Sequence, residues 1–217
     1  MIPLLYLQSL HIDLTTVHRA YIRYTRRWVL PSLTHLQVLV DSAPWLADLL
    51  FLLDAVGTGL HSLHLKVQQH TFMLTEHWVE ILARCPNVTS LVFNVASMPV
   101  LPSELALSSL RTVGLEGCLP DFRATNEYDG PESDRREQLT EHLGSLAARR
   151  GTIKCIQMMD EEFQWISGKN AEGSGTMGWE IPRRKKLTRE FNTWKDWKVT
   201  LRFSGILLAD CEGKPIG

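Results

Sequence analysis

The amino-acid sequence predicts an α/β fold, a curved solenoid with parallel strands on its concave face and with helices and loops outside. The first observation behind this prediction is an apolar-x-x-apolar-x-apolar template that recurs along the chain. Its copies begin at Leu7, Leu33, Leu60, Val88, Leu110 and, more loosely, Ile153. Successive copies start 26, 27, 28, 22 and 43 residues apart, and four of these five intervals match the ~20 to 29 residue period of leucine-rich repeats. The second observation is helical spacing of apolar residues between the templates.

Each template predicts one short strand. In the first copy the template residues are Leu7, Leu10 and Ile12, and the last residues of a copy alternate between two faces, as strand residues do. The inward apolar side chains of one coil would stack on those of the next coil, which is how a solenoid buries its core.

Two of the intervals predict amphipathic helices. Residues 45–56 place leucines at helical spacing, with Pro44 suited to a first helical position and Gly57 to a stop. In the next interval Thr75 is the candidate N-cap of a helix that Pro86 ends. Both helices would cover the outer side of the strands.

The later intervals are less regular. The stretch after the fourth template is short and holds Pro99 and Pro102, so we expect an extended or 3₁₀ connection there. Before the sixth template, Pro131 opens a helix whose negative end receives the cations Arg149 and Arg150. The core face of that helix is expected to hold Leu139, Leu143, Leu146 and Ala147.

The composition changes toward the C-terminus and suggests two regions. We expect residues 1–163 to form an irregular solenoid with a polar, turn-rich loop insertion at 119–131. Residues 164–217 would form a mobile Gly- and Ser-rich loop, a capping helix and a last short strand at 206–208. Gly205 can end that helix. The helix carries an aromatic face that would cover the last coil, formed by Leu187, Phe191, Trp194, Trp197 and Leu201.

The overall charge argues against several classes of partner. The 217 residues carry a formal net charge of −1, with 44% hydrophobic and 22% charged residues, as in an ordinary globular chain. No whole-chain field would attract nucleic acid or an anionic membrane, and no stretch supplies the ~20 apolar residues of a membrane span.

The widely spaced Cys85, Cys118, Cys155 and Cys211 are typical of reduced thiols. We therefore expect a cytoplasmic or nuclear protein that binds neither nucleic acid nor membrane.

No motif assigns a catalytic residue, a cofactor or a metal ligand. Gly173, Gly175 and Gly178 match a GxGxxG spacing, but the strand and helix that a dinucleotide site requires are not predicted around them. The enzyme alternative, with a nucleotide or dinucleotide at this 173–178 loop, is disfavoured. His61 and His64 would point to opposite faces of a strand, which disfavours a shared metal site.

Two further patterns, a histidine–glutamate spacing and a basic run, have simple structural explanations. His77 and Glu80 give an H-x-x-E spacing, but Ile81 stands where a zinc protease of the inverted type needs a second histidine. The simplest interpretation of the basic run at 183–186 is a solvent-exposed segment that precedes the capping helix. A nuclear localisation signal or a phosphate-binding patch is the alternative.

Four stretches, at 30–36, 81–91, 107–115 and 205–213, resemble the leucine-rich region of fungal, basidiomycete-type F-box-like proteins. The resemblance implies a right-handed solenoid that presents a substrate protein to a cullin-RING ubiquitin ligase. The F-box that binds the ligase adaptor would precede the repeats, whereas the first template already starts at Leu7. The adaptor is thus expected as a partner only if an F-box lies upstream, and a truncated fragment without independent activity is a further alternative.

The outward positions of the strands form the candidate site. Neighbouring coils would set them about 4.8 Å apart in one continuous face. Such a mixed polar array suits a protein surface better than nucleic acid, which would require a uniformly basic face. The expected function is a non-catalytic protein-interaction module whose partner is a possible ubiquitylation substrate. The expected contact residues are His11, Asp13, His35, Gln37, Ser62, His64, Lys66, Ser90, Asn94, Thr112 and Glu116.

Overall fold

A computed structural model gives the fold of the chain. It describes residues 4–14, 25, 28–40, 45–67, 73–102, 104–105, 107–118, 132–160 and 197–216. The strands are β1 (Ser9–Asp13), β2 (His35–Val40), β3 (Ser62–Val67), β4 (Ser90–Asn94), β5 (Thr112–Glu116), β6 (Cys155–Met158) and β7 (Leu207–Asp210). The helices are α1 (Trp45–Val56), followed by a 3₁₀ turn at Gly57–Gly59, α2 (Thr75–Arg84) and α3 (Glu132–Ala148), and residues 197–203 are also helical.

The seven strands form a single sheet in their order along the chain. Every neighbouring pair is parallel, and a helix lies between β2 and β3, between β3 and β4, and between β5 and β6. The prediction of an α/β fold is confirmed. A parallel sheet in sequential order is compatible with a solenoid, because each crossover returns the chain beside the strand it has just left.

The inward side chains of the strands form two registered rows on the sheet side of the core. The second template position of each coil lies beside that of the next, and Leu36, Leu63 and Leu91 are at most 2% exposed. The third position forms a parallel row that includes Val38, Leu65 and Phe93. At the C-terminal edge this second row ends on a buried carboxylate, because Asp210 pairs with Met158.

Helices α1 and α2 lie where their sequence patterns predict them. Leu49, Leu52 and Leu53 of α1 are buried, and α1 packs beside α2. The N-cap prediction for α2 is wrong by one residue, because Thr75 is the first helical residue and Leu74 is the cap. His77 explains the difference: its Nδ1 accepts the backbone N–H of Leu74 at 3.1 Å, so it satisfies a free donor at the helix start.

The connection from β4 to β5 contains no helix among its described residues, as its prolines predict. We call residues 95–102 and 104–105 the strap. Four side chains donate hydrogen bonds to its carbonyls: Trp78 to Pro99, His142 to Met98, Ser145 to Leu101, and Arg149 to Pro102 and Leu105. Arg149 directly follows the last residue of α3, at the end where its charge is expected, and its guanidinium also donates to the strap.

The C-terminal segment closes the last strand. Helix 197–203 ends at Gly205, which has φ +71°, and the N–H groups of Gly205 and Ile206 donate to the carbonyls of Arg202 and Leu201. This is a Schellman arrangement, so the predicted stop at Gly205 is confirmed. The chain then turns after β7 and Pro215 pairs with Ala209 in an antiparallel bridge. The predicted insertion 119–131 and residues 164–196 of the predicted loop and cap lie outside the described residues.

Candidate partner-binding face

All eleven predicted contact residues lie on strands, and the register places them in rows on the face opposite the core. One row contains Ser9, His35, Ser62, Ser90, Thr112 and Cys155. A second row contains His11, Gln37, His64, Val92, Gly114 and Gln157. A third row contains Asp13, Leu39 and Lys66 and, further along, Asn94 and Glu116. We call the surface formed by these three rows the strand face. Nine of the eleven predicted residues form three groups. The other two, His35 and Gln37, lie on β2, where His35 Nδ1 is 2.8 Å from Oγ1 of Thr34.

The first group is an ionic cluster of His64, Lys66 and Glu116. Nε2 of His64 lies 2.9 Å from Oε1 of Glu116, and Nζ of Lys66 lies 3.5 Å from the same oxygen. His64 and Lys66 belong to β3 and Glu116 belongs to β5, so the cluster reaches across β4. His64 and Glu116 have side chains that are only 18% and 19% exposed.

The environment of Glu116 favours its charged form. Burial acts to raise the pKa of this carboxyl, but the contacts and charges of His64 and Lys66 outweigh burial and hold the pKa below its ordinary value. The His64 nitrogen is shielded from solvent and lacks a well-directed hydrogen bond among the described residues. Its closeness to Glu116 is therefore mainly an electrostatic contact.

The second group is a row of hydroxyls. Ser62, Ser90 and Thr112 occupy registered positions on three adjacent strands, and all three are half-buried. The described part of the chain offers no hydrogen-bond partner to any of these side chains. Neighbouring strands are spaced about 4.8 Å apart, so the row presents hydroxyls at a regular interval. Each can donate or accept, which suits contact with polar groups of a partner.

The third group is less available than the sequence predicts. Asn94 turns toward the end of its own strand, where its Oδ1 accepts the N–H of Ala96 at 2.8 Å. Its amide also lies against Gly117, where an added Cβ would approach it to 2.8 Å. Gly117 has φ +69°, so the turn itself favours glycine. Asn94 therefore organises a turn at the rim. His11 and Asp13 lie on the edge strand β1.

Two apolar side chains fill part of the strand face. Val92 points outward in the row but is only 8% exposed. A Cβ at Gly114 would lie 2.8 Å from Cγ2 of Val92 and 3.0 Å from Cγ of Met159. The missing side chain at residue 114 thus makes room for Met159 and Val92. The face consequently has an apolar centre between its hydroxyl row and its ionic cluster.

Sequence reasoning missed the groups that hold the rim of the sheet. Both carboxylate oxygens of Asp160 accept backbone N–H groups, from Gly117 and Cys118, at 2.8 Å. Asp210 does the same for the last turn, where its Oδ1 accepts the N–H groups of Glu212 and Lys214. The available signal was an aspartate directly after, or at the end of, a strand, where such residues favour turns.

The alternative chemistry gains no support from the described residues. Within them no group of three or more His, Cys, Asp or Glu side chains could hold a metal ion. Burial raises the pKa of Cys85 to about 12 and that of Cys118 well above its ordinary value, so both thiols stay protonated at neutral pH. The 173–178 glycine loop and the basic run at 183–186 lie in the part of the chain that is not described.

The chain was compared with protein-family models, curated proteins and solved structures. No protein-family model, no curated protein and no solved structure matches it. In the described ranges no helix is both long enough and apolar enough to cross a membrane. The functional interpretation therefore depends on the geometry of the strand face.

Proposed function

We propose that this chain is a non-catalytic leucine-rich-repeat interaction module that holds a protein partner on its strand face. It would correspond to the substrate-recognition part of an F-box-type receptor of a cullin-RING ubiquitin ligase, with the partner as the substrate. The observation that carries the proposal is the register of the sheet. Six template copies found by spacing alone fall on six consecutive parallel strands, and their apolar positions align from coil to coil.

The register supports a repeat interpretation for a physical reason. When identical positions of successive strands pair, each coil buries the same face against its neighbour, which is the stacking rule of solenoids. Leu63, Leu91 and Val113 are adjacent in this row and completely buried. The opposite face then necessarily presents the intervening positions as one continuous surface.

The chemistry of the strand face supports a protein partner. Its centre combines apolar Val92 and Met159 with a row of hydroxyls and a cluster in which Glu116 contacts His64 and Lys66. Protein–protein contacts typically join an apolar centre to a polar surround, whereas nucleic-acid binding depends on cations that neutralise phosphates. Lys66 is already engaged by Glu116. A mixed face of this kind favours another protein.

We also propose that the C-terminal residues cap the last coil of the solenoid. Trp197 packs partly buried against the core, and Leu201 and Ile206 beside it are buried. The return of residues 214–216 along β7 covers the outer edge of the last strand. Covering the last coil in this way is what a solenoid requires at its end.

The experiment compares capture of proteins by the purified chain and by two arginine variants. Ser90→Arg places a long cation in the middle of the hydroxyl row. Thr140→Arg makes the same kind of change on the exposed side of α3 and serves as the matched control. Circular dichroism and thermal melting first establish that both variants keep the fold.

The proposal predicts a partner that binds the original chain and Thr140→Arg alike and binds Ser90→Arg at least tenfold more weakly, measured by titration calorimetry with the purified partner. Equal loss with both variants, or no loss with either, would overturn the assignment to the strand face. The ligase role has its own test. The ligase role is supported if the captured partner is ubiquitylated in vitro only when an F-box-bearing form of this chain joins the cullin-RING complex. Ubiquitylation that does not need the adaptor contradicts the ligase role.

A further inference from the structure

An apolar cleft lies on the helical side of the sheet, away from the strand face. It has a volume of about 250 Å³ and opens between α2 and the residues that lead into β4 and β5. Its floor is formed by buried Leu82, Val88 and Leu110, and its mouth by the exposed Val79 and the partly buried Leu105. Among the described residues that line it, none has a charged side chain. A cavity of about 150 Å³ already accommodates a benzene-sized group, so one large side chain fits here.

The cleft has a clear origin in the chain. The coil from β3 to β4 contains α2 and the coil from β5 to β6 contains α3, whereas the described residues of the coil between them form the strap and turns. Helix α2 therefore packs beside α1 on one side but meets an irregular segment on the other. In the described part of that coil the strap, rather than a helix, lies between α2 and α3, and the cleft opens beside it.

The helix beside the cleft presents an acidic, partly apolar surface. Glu76, Val79, Glu80 and Ala83 are exposed at helical spacing along α2, and Val79 is 47% exposed. Neither Glu76 nor Glu80 forms an ion pair with a described residue. The nearby Arg84 is engaged by Asp54 at 2.7 Å on the side of α1. The mouth of the cleft thus combines an apolar depression with two carboxylates that are not neutralised.

We propose that this cleft is a docking site for a basic amphipathic helix of a partner protein. One large apolar side chain of that helix enters the cleft, and Lys or Arg residues one turn away lie beside Glu76 and Glu80. The charge of α2 selects this occupant, because the exposed carboxylates of Glu76 and Glu80 are complementary to a basic segment. A large apolar side chain flanked by cations is what an amphipathic helix presents to an apolar groove. The site is separate from the strand face and does not depend on the function proposed for it.

The experiment uses a fluorescein-labelled 14-residue peptide of leucine and lysine with helical spacing, and its counterpart with glutamate in place of each lysine. Binding to the full chain is followed by fluorescence anisotropy at 50 and 300 mM salt. Ala83→Glu fills the mouth of the cleft with a charged side chain. Gly144→Glu, an equally exposed change on α3, is the control.

We expect the lysine peptide to bind at least tenfold more tightly than the glutamate peptide, and more weakly at high salt. Ala83→Glu should lower its affinity at least fivefold, although this variant adds a negative charge, whereas Gly144→Glu should not. The double variant Glu76→Gln, Glu80→Gln should weaken binding and reduce its salt dependence. Equal binding of the two peptides, or unchanged binding to Ala83→Glu, overturns the proposal. So does a concentration-dependent dimer of the free chain that Ala83→Glu dissociates, because a second copy would then be the occupant.

Discussion

His64 of β3 and Glu116 of β5 approach to 2.9 Å although a complete strand, β4, lies between them. The contact is possible because the registered pair between them projects little from the sheet: Val92 is nearly buried and residue 114 is glycine. Lys66 reaches the same carboxylate oxygen. One anion therefore connects two strands that share no backbone hydrogen bond, and it does so on the face that we propose binds a partner.

Glu116→Gln should destabilise the fold at neutral pH by about 0.5–1 kcal/mol, a modest value because the ion pairs are partly solvated. The pKa of Glu116 is lowered in the folded state. Its stabilising contribution is therefore complete above the ordinary glutamate value near 4.5 and is lost as the pH falls through the lowered pKa. Urea unfolding at several pH values should show the two proteins converging in acid. Glu80→Gln, a carboxylate without an ion pair in the described structure, is the control, and a pH-independent difference for Glu116→Gln would contradict the interpretation.

The apolar centre of the strand face predicts a sterically coupled pair. Gly114→Ala places a methyl group 2.8 Å from Val92, and overpacking of this kind costs about 1–3 kcal/mol. In the background of Val92→Ala the same change should cost much less, so chemical denaturation of the double-mutant cycle should give a coupling of at least about 1 kcal/mol. Additive effects would mean that no steric contact exists.

Gly144→Ala is the matched control for that experiment. Gly144 lies in an exposed position of α3, and an added Cβ would meet no atom within 4 Å. Because glycine in a helix is less favourable than alanine, this variant should stabilise the chain by about 0.5–1 kcal/mol. A destabilised Gly144→Ala chain would show that glycine-to-alanine changes are harmful here for reasons other than contact.

His142 predicts an acid-sensitive stability. It is buried, its ring lies 5.4 Å from that of Phe93, and its Nε2 donates to the carbonyl of Met98. Burial lowers its pKa despite the opposing effect of hydrogen bonds to Met98 and Val95. The unfolded chain therefore binds the proton more readily, so the free energy of unfolding should fall as the pH drops below about 6.5.

His142→Gln tests this origin, because the amide can still donate to Met98 but does not titrate. Its unfolding free energy should decline less between pH 7 and pH 5 than that of the unchanged chain. His61→Gln makes the same substitution at an exposed position and should follow the original profile. Parallel profiles for all three proteins would assign the acid sensitivity to other groups.

The strap should depend on the side chains that bind its carbonyls. Trp78→Phe keeps the edge-on ring contact with Phe93, whose centroid is 5.1 Å away, but removes the 2.7 Å hydrogen bond to Pro99. We expect a loss of about 1 kcal/mol. Hydrogen exchange of the strap amides should accelerate more than exchange in β2, where Leu36 and Val38 reside. Uniform acceleration across the sheet would show that the strap is not a local unit.

The core could be predicted from the sequence to a large extent. Apolar side chains at a fixed spacing have only one way to bury themselves repeatedly, so the spacing of Leu60, Leu63 and Leu65 indicates both the strand and the inward face. The same logic gives the burial of Leu139 and Leu143 on α3. These features depend on local pattern alone.

The candidate site could be predicted only in outline. Alternation places His64 and Glu116 on the outward face. Their contact across β4 also depends on the missing side chain at Gly114, and the spacing of residues within one strand does not predict contacts between strands. Asn94 was expected to face a partner, yet a nearby amide competed for its side chain. The cleft beside Val79 is similar, because it lies next to a coil whose described residues form no helix.

The sequential strand order has a consequence for folding. Parallel sheets usually require contacts between distant parts of a chain, but β1 to β5 begin at residues 9, 35, 62, 90 and 112, so each pairing closes a short loop. The pairings of β6 and β7 close longer ones, since these strands begin at residues 155 and 207, and loop-closure entropy rises with length. We expect assembly to begin among the first five strands and to reach β7 last. Pulse-labelled hydrogen exchange should then protect Leu63 and Leu91 earlier than Leu208, and simultaneous protection would exclude this order.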